Sequence, residues 1–145
     1  MPDSRREFLR HCSAIGFGFA VFGTAAWLEA CTAGRVIAMH LEPVDGVIAV
    51  PRARIEGMRF LTVRNSLHAE PIYVNLDLPA SSRVAVLLKC THKGCELSPA
   101  AKSLRCPCHG SLFSPEGKVL GPPASEDLRL FKVTENKDHI LIHIS

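Results

Sequence analysis

Four cysteines, Cys90, Cys95, Cys106 and Cys108, fall within nineteen residues, with His92 and His109 among them. The string Cys90-Thr91-His92-Lys93-Gly94-Cys95 is followed by Cys106-Pro107-Cys108-His109-Gly110-Ser111. Each supplies one thiolate and one imidazole, as Cys90-x-His92 and Cys106-x-x-His109, and each adds one further cysteine. Two hairpin loops facing each other would bring two Cys and two His onto one metal centre. Gly94 and Gly110 let the backbone turn tightly and approach a ligand closely, and Pro107 stiffens the second tip. Zinc accepts this donor set. A zinc finger, however, presents a cysteine pair and then a histidine pair, followed by an amphipathic helix, whereas each loop here mixes the two. The remaining pair, Cys95 and Cys108, needs a separate explanation, and an exported protein can oxidise such a pair to a disulfide. A non-redox zinc module is the weaker alternative.

The rest of the chain must position these loops. Its 145 residues suit one ordinary domain, 47% hydrophobic and 21% charged, a globular composition. A net charge of +3, from 17 basic and 14 acidic side chains, with no lysine/arginine stripe, gives no argument for nucleic acid. The length leaves no room for a second, catalytic domain with its own large substrate pocket.

The N-terminus reads as targeting, not fold. Ser4-Arg5-Arg6-Glu7-Phe8-Leu9 precedes eighteen residues, 11–28, without Asp, Glu, Lys or Arg. This positive-then-apolar order resembles the twin-arginine export signal, whose pathway moves folded proteins and suits a cofactor inserted before export. As a helix the apolar run spans about 27 Å, just enough for a hydrocarbon core. Leu28-Glu29-Ala30-Cys31 also resembles a lipoprotein box, which makes Cys31 a candidate lipidation site, although Glu29 departs from the small or apolar residue usual there. Residues 1–31 are therefore expected to be a twin-arginine signal or anchor. Either form of attachment places residues 32–145 on the outer, periplasmic face of the cytoplasmic membrane.

Those 114 residues read as strands. Runs rich in Val, Ile, Leu and Phe at 35–40, 46–50, 58–63, 71–76, 84–90, 128–134 and 140–144 are mostly separated by turn residues, which predicts an antiparallel sandwich or barrel. In the last run Ile140, Ile142 and Ile144 share one face, and His139, Leu141 and His143 the other. Both histidines are expected to be solvated or at a sheet edge, without a ligand role. Between 90 and 123 the strand pattern breaks and polar and turn residues take over.

The two loops resemble the signature of the Rieske iron–sulfur proteins, Cys-Thr-His-x-Gly-Cys with Cys-Pro-Cys-His-Gly-Ser, and the likeness extends from about residue 46 to the C-terminus. The resemblance implies an all-β Rieske fold with a small cluster-binding subdomain inserted in the sandwich. It implies a [2Fe–2S] cluster with Cys90 and Cys106 on one iron and His92 and His109 on the other. It also implies a Cys95–Cys108 disulfide joining loops 90–95 and 106–111, and a proline loop at 121–123, with Pro122, covering the cluster. Ser111 would donate its hydroxyl to a bridging sulfide. At 113 many relatives carry a tyrosine that donates to the first cysteine sulfur; Phe113 keeps the ring and lacks the donor.

Neutral imidazoles in place of two thiolates make the cluster easier to reduce, at roughly −150 to +300 mV against about −400 mV for all-cysteine plant-type clusters. An imidazole bound through one nitrogen keeps an N–H on the other, which couples proton to electron uptake at His92 and His109. The protein is thus expected to move single electrons, as a subunit that is not catalytic alone. The leading reading is the iron–sulfur subunit of a quinol-oxidising cytochrome bc-type complex. It would sit beside a membrane cytochrome b and pass electrons from quinol to a c-type cytochrome. The alternatives are the small Rieske subunit of a molybdenum oxidoreductase similar to arsenite oxidase, or a free Rieske carrier. A ferredoxin feeding a ring-hydroxylating oxygenase fits less well, because those usually lack the disulfide pair. Lys93 stands where quinol-oxidising members usually carry Leu, and a lysine is costly to bury unpaired. Lys93 and Phe113 together weaken the quinol reading without removing it.

Overall fold

The computed structural model describes residues 38–100 and 102–145. The expected signal or anchor at 1–31, Cys31 and the first part of the 35–40 run lie outside these residues. Among the described residues no helix is long and apolar enough to cross a membrane.

All seven apolar runs become strands, and all seven enter one sheet. They are β1 (Ala38–His40), β2 (Val47–Pro51), β3 (Phe60–Arg64), β4 (Ile72–Asn75), β5 (Val84–Leu87), β10 (Leu130–Glu135) and β11 (His139–His143). Their order across the sheet is β1-β3-β4-β5-β10-β11-β2. Every pairing is antiparallel except β1 with β3, which run parallel. A parallel pair needs a crossover, and here β2 is that crossover: the chain leaves β1 for the opposite edge of the sheet before returning to β3.

The sheet curls because residues from all seven strands must reach one core. Met39, Ile48, Val50, Leu61, Val63, Ile72, Val74, Ala85, Leu87, Phe131, Ile140 and Ile142 form it. Period-two alternation puts them all on the inner face. Ile140 opposes Val50 and Ile142 opposes Ile48 across the β11–β2 ladder, so the isoleucine face chosen from sequence is the buried one. The histidines of β11 are half-buried on the other face, and His143 Nε2 lies 2.8 Å from Thr134 Oγ1. They are not at a sheet edge, since β11 has β10 on one side and β2 on the other.

The segment expected to lack strands holds a small second sheet. Its strands, β6 (Ser98–Pro99), β7 (Leu104–Arg105), β8 (Leu112–Phe113) and β9 (Val119–Gly121), pair antiparallel in chain order. Runs of two or three residues are too short for periodicity to show. This insert rests on the outer face of the large sheet: Phe60, Tyr73 and Val86, from β3, β4 and β5, join Leu88, Leu97, Leu104, Phe113 and Leu128 in a second core. Strand β4 is therefore buried on both faces, along its whole length, and Ile72-Tyr73-Val74 read as consecutive apolar residues instead of an alternating pattern before the buried Asn75.

Candidate metal centre

The two Cys–His strings form two turns of the same construction. In the first, the Cys90 N–H donates to the Cys95 carbonyl at 2.8 Å and the Gly94 N–H donates to the Cys90 carbonyl at 2.7 Å. In the second, Cys106 N–H donates to Ser111 O at 2.8 Å and Gly110 N–H to Cys106 O at 3.0 Å. Both glycines have the left-handed backbone these turns require, with φ of 76° and 84°. On the protein side conformation is the reason for glycine at 110, since a Cβ there would meet no protein atom within 4 Å. Each turn stands on an apolar stem: Leu97 N–H reaches Leu88 O at 2.9 Å beneath the first, and β7–β8 lie beneath the second.

The loops present the expected donors together. Cys90 and Cys106 are free thiols, 2% and 1% exposed. The His92 and His109 rings lie edge to face with centroids 4.9 Å apart. Cys95 and Cys108 form a disulfide between the loops, Cα to Cα 6.6 Å. The sulfurs of Cys95, Cys106 and Cys108 all lie within 4.8 Å of one another. They are not the ligand set, however, because two of them are already bonded to each other.

Two observations test whether these residues fit an iron–sulfur cluster. His92 Nδ1 is buried with no hydrogen-bond partner, a costly state for a ring nitrogen unless a group outside the polypeptide takes its lone pair. Around Cys90, burial pushes the thiol pKa up. The His92 N–H, the Cys106 thiol, the Ser111 hydroxyl and the Lys93 N–H outweigh burial and hold it below its ordinary value. The Ser111 hydroxyl and the His92 and Lys93 N–H groups remain donors when Cys106 is itself a ligand, and a buried sulfur facing such donors is how a protein stabilises a metal-bound thiolate. The residues fit the group.

The third side of the site is held by residues whose roles were not evident from sequence. Ser111 Oγ accepts the Ala124 N–H at 3.1 Å, which fastens the chain just after Pro122-Pro123 to the second loop. Thr91 Oγ1 donates to the Glu126 carbonyl at 2.7 Å and fastens the same segment to the first. Asp127 receives Lys118 Nζ at 2.7 Å and the Val119 N–H at 2.9 Å, and these bonds hold its carboxyl below the usual range. The signal for Thr91 was a hydroxyl between two ligand positions, but its partner lies 35 residues away. Phe113 is fully buried in the core that includes Cys90 and Cys106.

The disulfide joins two loops whose tips, Lys93 on one and Pro107 to Gly110 on the other, are exposed. Replacing Cys95 or Cys108 with Ser is therefore expected to give protein that binds iron and sulfide but loses them faster. A bridge of this kind is typically worth about 2–4 kcal/mol. Loss rates in chelator, followed by visible absorbance, check this, and equal rates in variant and parent would refute it.

Comparison with known proteins agrees with this geometry. The model of the Rieske [2Fe-2S] domain matches residues 52–132. The cytochrome b6-f complex iron-sulfur subunit of Gloeobacter violaceus is 42% identical over 164 aligned positions, covering 98% of this chain and 83% of that one. The subunit of the same name from Synechococcus sp. (strain JA-3-3Ab) is 33% identical over 156, covering 96% and 86%. Among solved structures, the plasma membrane Rieske protein PetC3 from Synechocystis PCC 6803 superposes with a TM-score of 0.54 at 29% identity, over 63% of this chain and 93% of that one. With paired Cys–His turns, a disulfide between them and an all-β frame beneath, the chain belongs to the Rieske [2Fe-2S] family.

Proposed function

We propose that this chain is the iron–sulfur subunit of a quinol-oxidising cytochrome bc-type complex, with Cys90 and Cys106 holding one iron and His92 and His109 the other. When bound, the cluster supplies a one-electron carrier at a potential raised by its two neutral ligands. The chain's own residues do the rest. The disulfide and the Thr91 and Ser111 hydrogen bonds hold three segments around the site. The Ser111 hydroxyl and the His92 and Lys93 N–H groups around Cys90 stabilise added negative charge. The half-buried His92 and exposed His109 present imidazoles where a partner can reach them.

The observation that carries this reading is the disulfide between the two ligand loops. It needs an oxidising compartment, in keeping with Arg5-Arg6 and the apolar run at 11–28 as a twin-arginine signal that leaves the protein anchored by helix, or by lipid at Cys31, on the periplasmic face. Relatives at 33% and 42% identity that are cytochrome b6-f subunits support a cytochrome b partner, a quinol donor and a c-type cytochrome acceptor.

One observation favours the second reading, a small subunit of a molybdenum oxidoreductase or a free carrier: Lys93 is exposed at the tip of the first loop, where an apolar residue would suit burial in a membrane subunit.

A redox titration followed by EPR, on protein recovered from membranes, tests the proposal. The midpoint is expected to lie above the range of all-cysteine clusters and to fall as pH rises. A low midpoint that does not move with pH would point to ferredoxin-type chemistry and end the quinol reading.

A further inference from the structure

Beside the first ligand loop runs an open groove of about 570 Å³ whose lining reaches Cys90. Its lining includes Leu67, Glu70, Lys89, His92, Lys93 and Arg129. Three cations face one carboxylate there, and that carboxylate is already committed, since Lys89 Nζ lies 3.2 Å from Glu70 Oε1. Lys93 and Arg129 have no ion-pair partner among the described residues. The Arg129 guanidinium is held over the Phe131 ring, 5.1 Å from its centroid, so its position is set by packing and its charge is left unopposed. On the rim, Leu67 is 65% exposed, one of four large apolar side chains left in solvent among the described residues. Two exposed acids beside this loop do not line the groove: Glu126 is bound to it through its backbone carbonyl, and Glu96 is paired with Arg64 at 2.7 Å.

A partner placed in this groove would touch His92, the ligand imidazole that lines it. We propose that the groove is the docking surface for a soluble, acidic-faced electron-transfer protein, which sets carboxylates against Lys93 and Arg129 and an apolar residue against Leu67. This rests on the electron-carrier reading above and names the kind of acceptor. Charge complementarity chooses the occupant: two cations without an ion-pair partner among the described residues share one groove with an exposed leucine, which favours fast, salt-sensitive encounter with an acidic face. One electron leaves the reduced holoprotein and one acceptor haem is reduced, with no other reactant.

The test is stopped-flow oxidation of the reduced, full-length holoprotein by an acidic c-type cytochrome, by a basic one, and by a neutral small-molecule oxidant. The acidic cytochrome is expected to react faster than the basic one, and its rate to fall about tenfold or more between roughly 10 mM and 300 mM salt. Lys93→Glu and Arg129→Glu should each slow it at low salt, on the order of tenfold, and in Arg129→Glu, which lies outside both ligand loops, the small oxidant should react as before with an unchanged EPR spectrum. Arg129 is remote from the ligands in sequence and guards against a folding defect at Lys93. Equal rates with the two cytochromes, or charge reversals without effect, would overturn the proposal. So would loss of binding to anionic phosphatidylglycerol vesicles in both variants with cytochrome rates intact, since the groove would then serve the membrane surface. A holoprotein that reduces none of the three oxidants would instead refute the carrier reading itself.

Discussion

Substituting Ala for any one of Cys90, His92, Cys106 or His109 is expected to abolish the EPR signal of the reduced protein and to remove iron and acid-labile sulfide together. On the proposed ligation each change deletes a bond to the metal centre, and no nearby group can replace it. The other sulfurs within reach, Cys95 and Cys108, are tied up in the disulfide. His68 borders the same groove as His92, but it packs edge-on against Phe131, centroids 5.3 Å apart, with its backbone N–H bonded to Asn65 Oδ1. The fold should outlast the loss, since the main core draws on the seven-stranded sheet and none of the four ligands belongs to it. Circular dichroism would therefore stay β-rich while the visible bands vanish. His139→Ala and His143→Ala serve as controls, because both side chains lie on β11, which neither ligand loop adjoins in the chain. A signal that survives any one of the four ligand changes, or is lost with either control, would show the ligand set to be wrong. Zinc without sulfide in the purified protein would revive the finger-like alternative.

How much of this was legible in sequence depended on the length over which each signal is written. The large sheet was legible strand by strand, because β2, β3, β4, β5, β10 and β11 are four to six residues long and repeat or bury apolar side chains along that length. The order of the strands was not, and neither was the parallel β1–β3 pair: nothing local in residues 38–40 records that β2 departs to the far edge. The small sheet was invisible, since Leu104–Arg105 and Leu112–Phe113 are too short to show a period and are held by the core under them. For the site the balance reverses. The ligand candidates and both glycines could be read from two hexapeptides, because metal-binding chemistry restricts residue type at close spacing. What could not be read is how the third segment is attached. Thr91 to Glu126 spans 35 residues and Ser111 to Ala124 spans 13, and hydroxyls that bond a distant backbone leave no spacing pattern behind.

Ser111→Ala is expected to lower the midpoint potential and to loosen the proline segment at the same time. The hydroxyl is fully buried and acts in two directions: its oxygen accepts the Ala124 N–H at 3.1 Å, and it lies within hydrogen-bond reach of the Cys90 sulfur. A hydrogen bond to a charged group is worth roughly 1.5–3 kcal/mol, but only the part that differs between oxidised and reduced states moves the potential. If about 1–1.5 kcal/mol is redox-dependent, the shift is on the order of 40–65 mV, since about 1.36 kcal/mol corresponds to 59 mV for one electron. The orphaned Ala124 N–H costs about a further 1–3 kcal/mol of stability, visible as a lower Tm and faster cluster loss. Those two effects share one substitution, so a second variant must separate them. Phe113→Tyr leaves Ser111 and Ala124 untouched and adds a phenolic donor in the core that Phe113 shares with Cys90. It should raise the midpoint by a similar amount while the proline segment stays in place. The parent protein, lacking that donor, should accordingly sit below its tyrosine-bearing relatives and nearer the range of a low-potential quinol such as menaquinol. Voltammetry at fixed pH reads both shifts. A Phe113→Tyr protein whose midpoint stays put or falls would mean that the ring does not face Cys90, and the inference of a low-potential quinol would go with it.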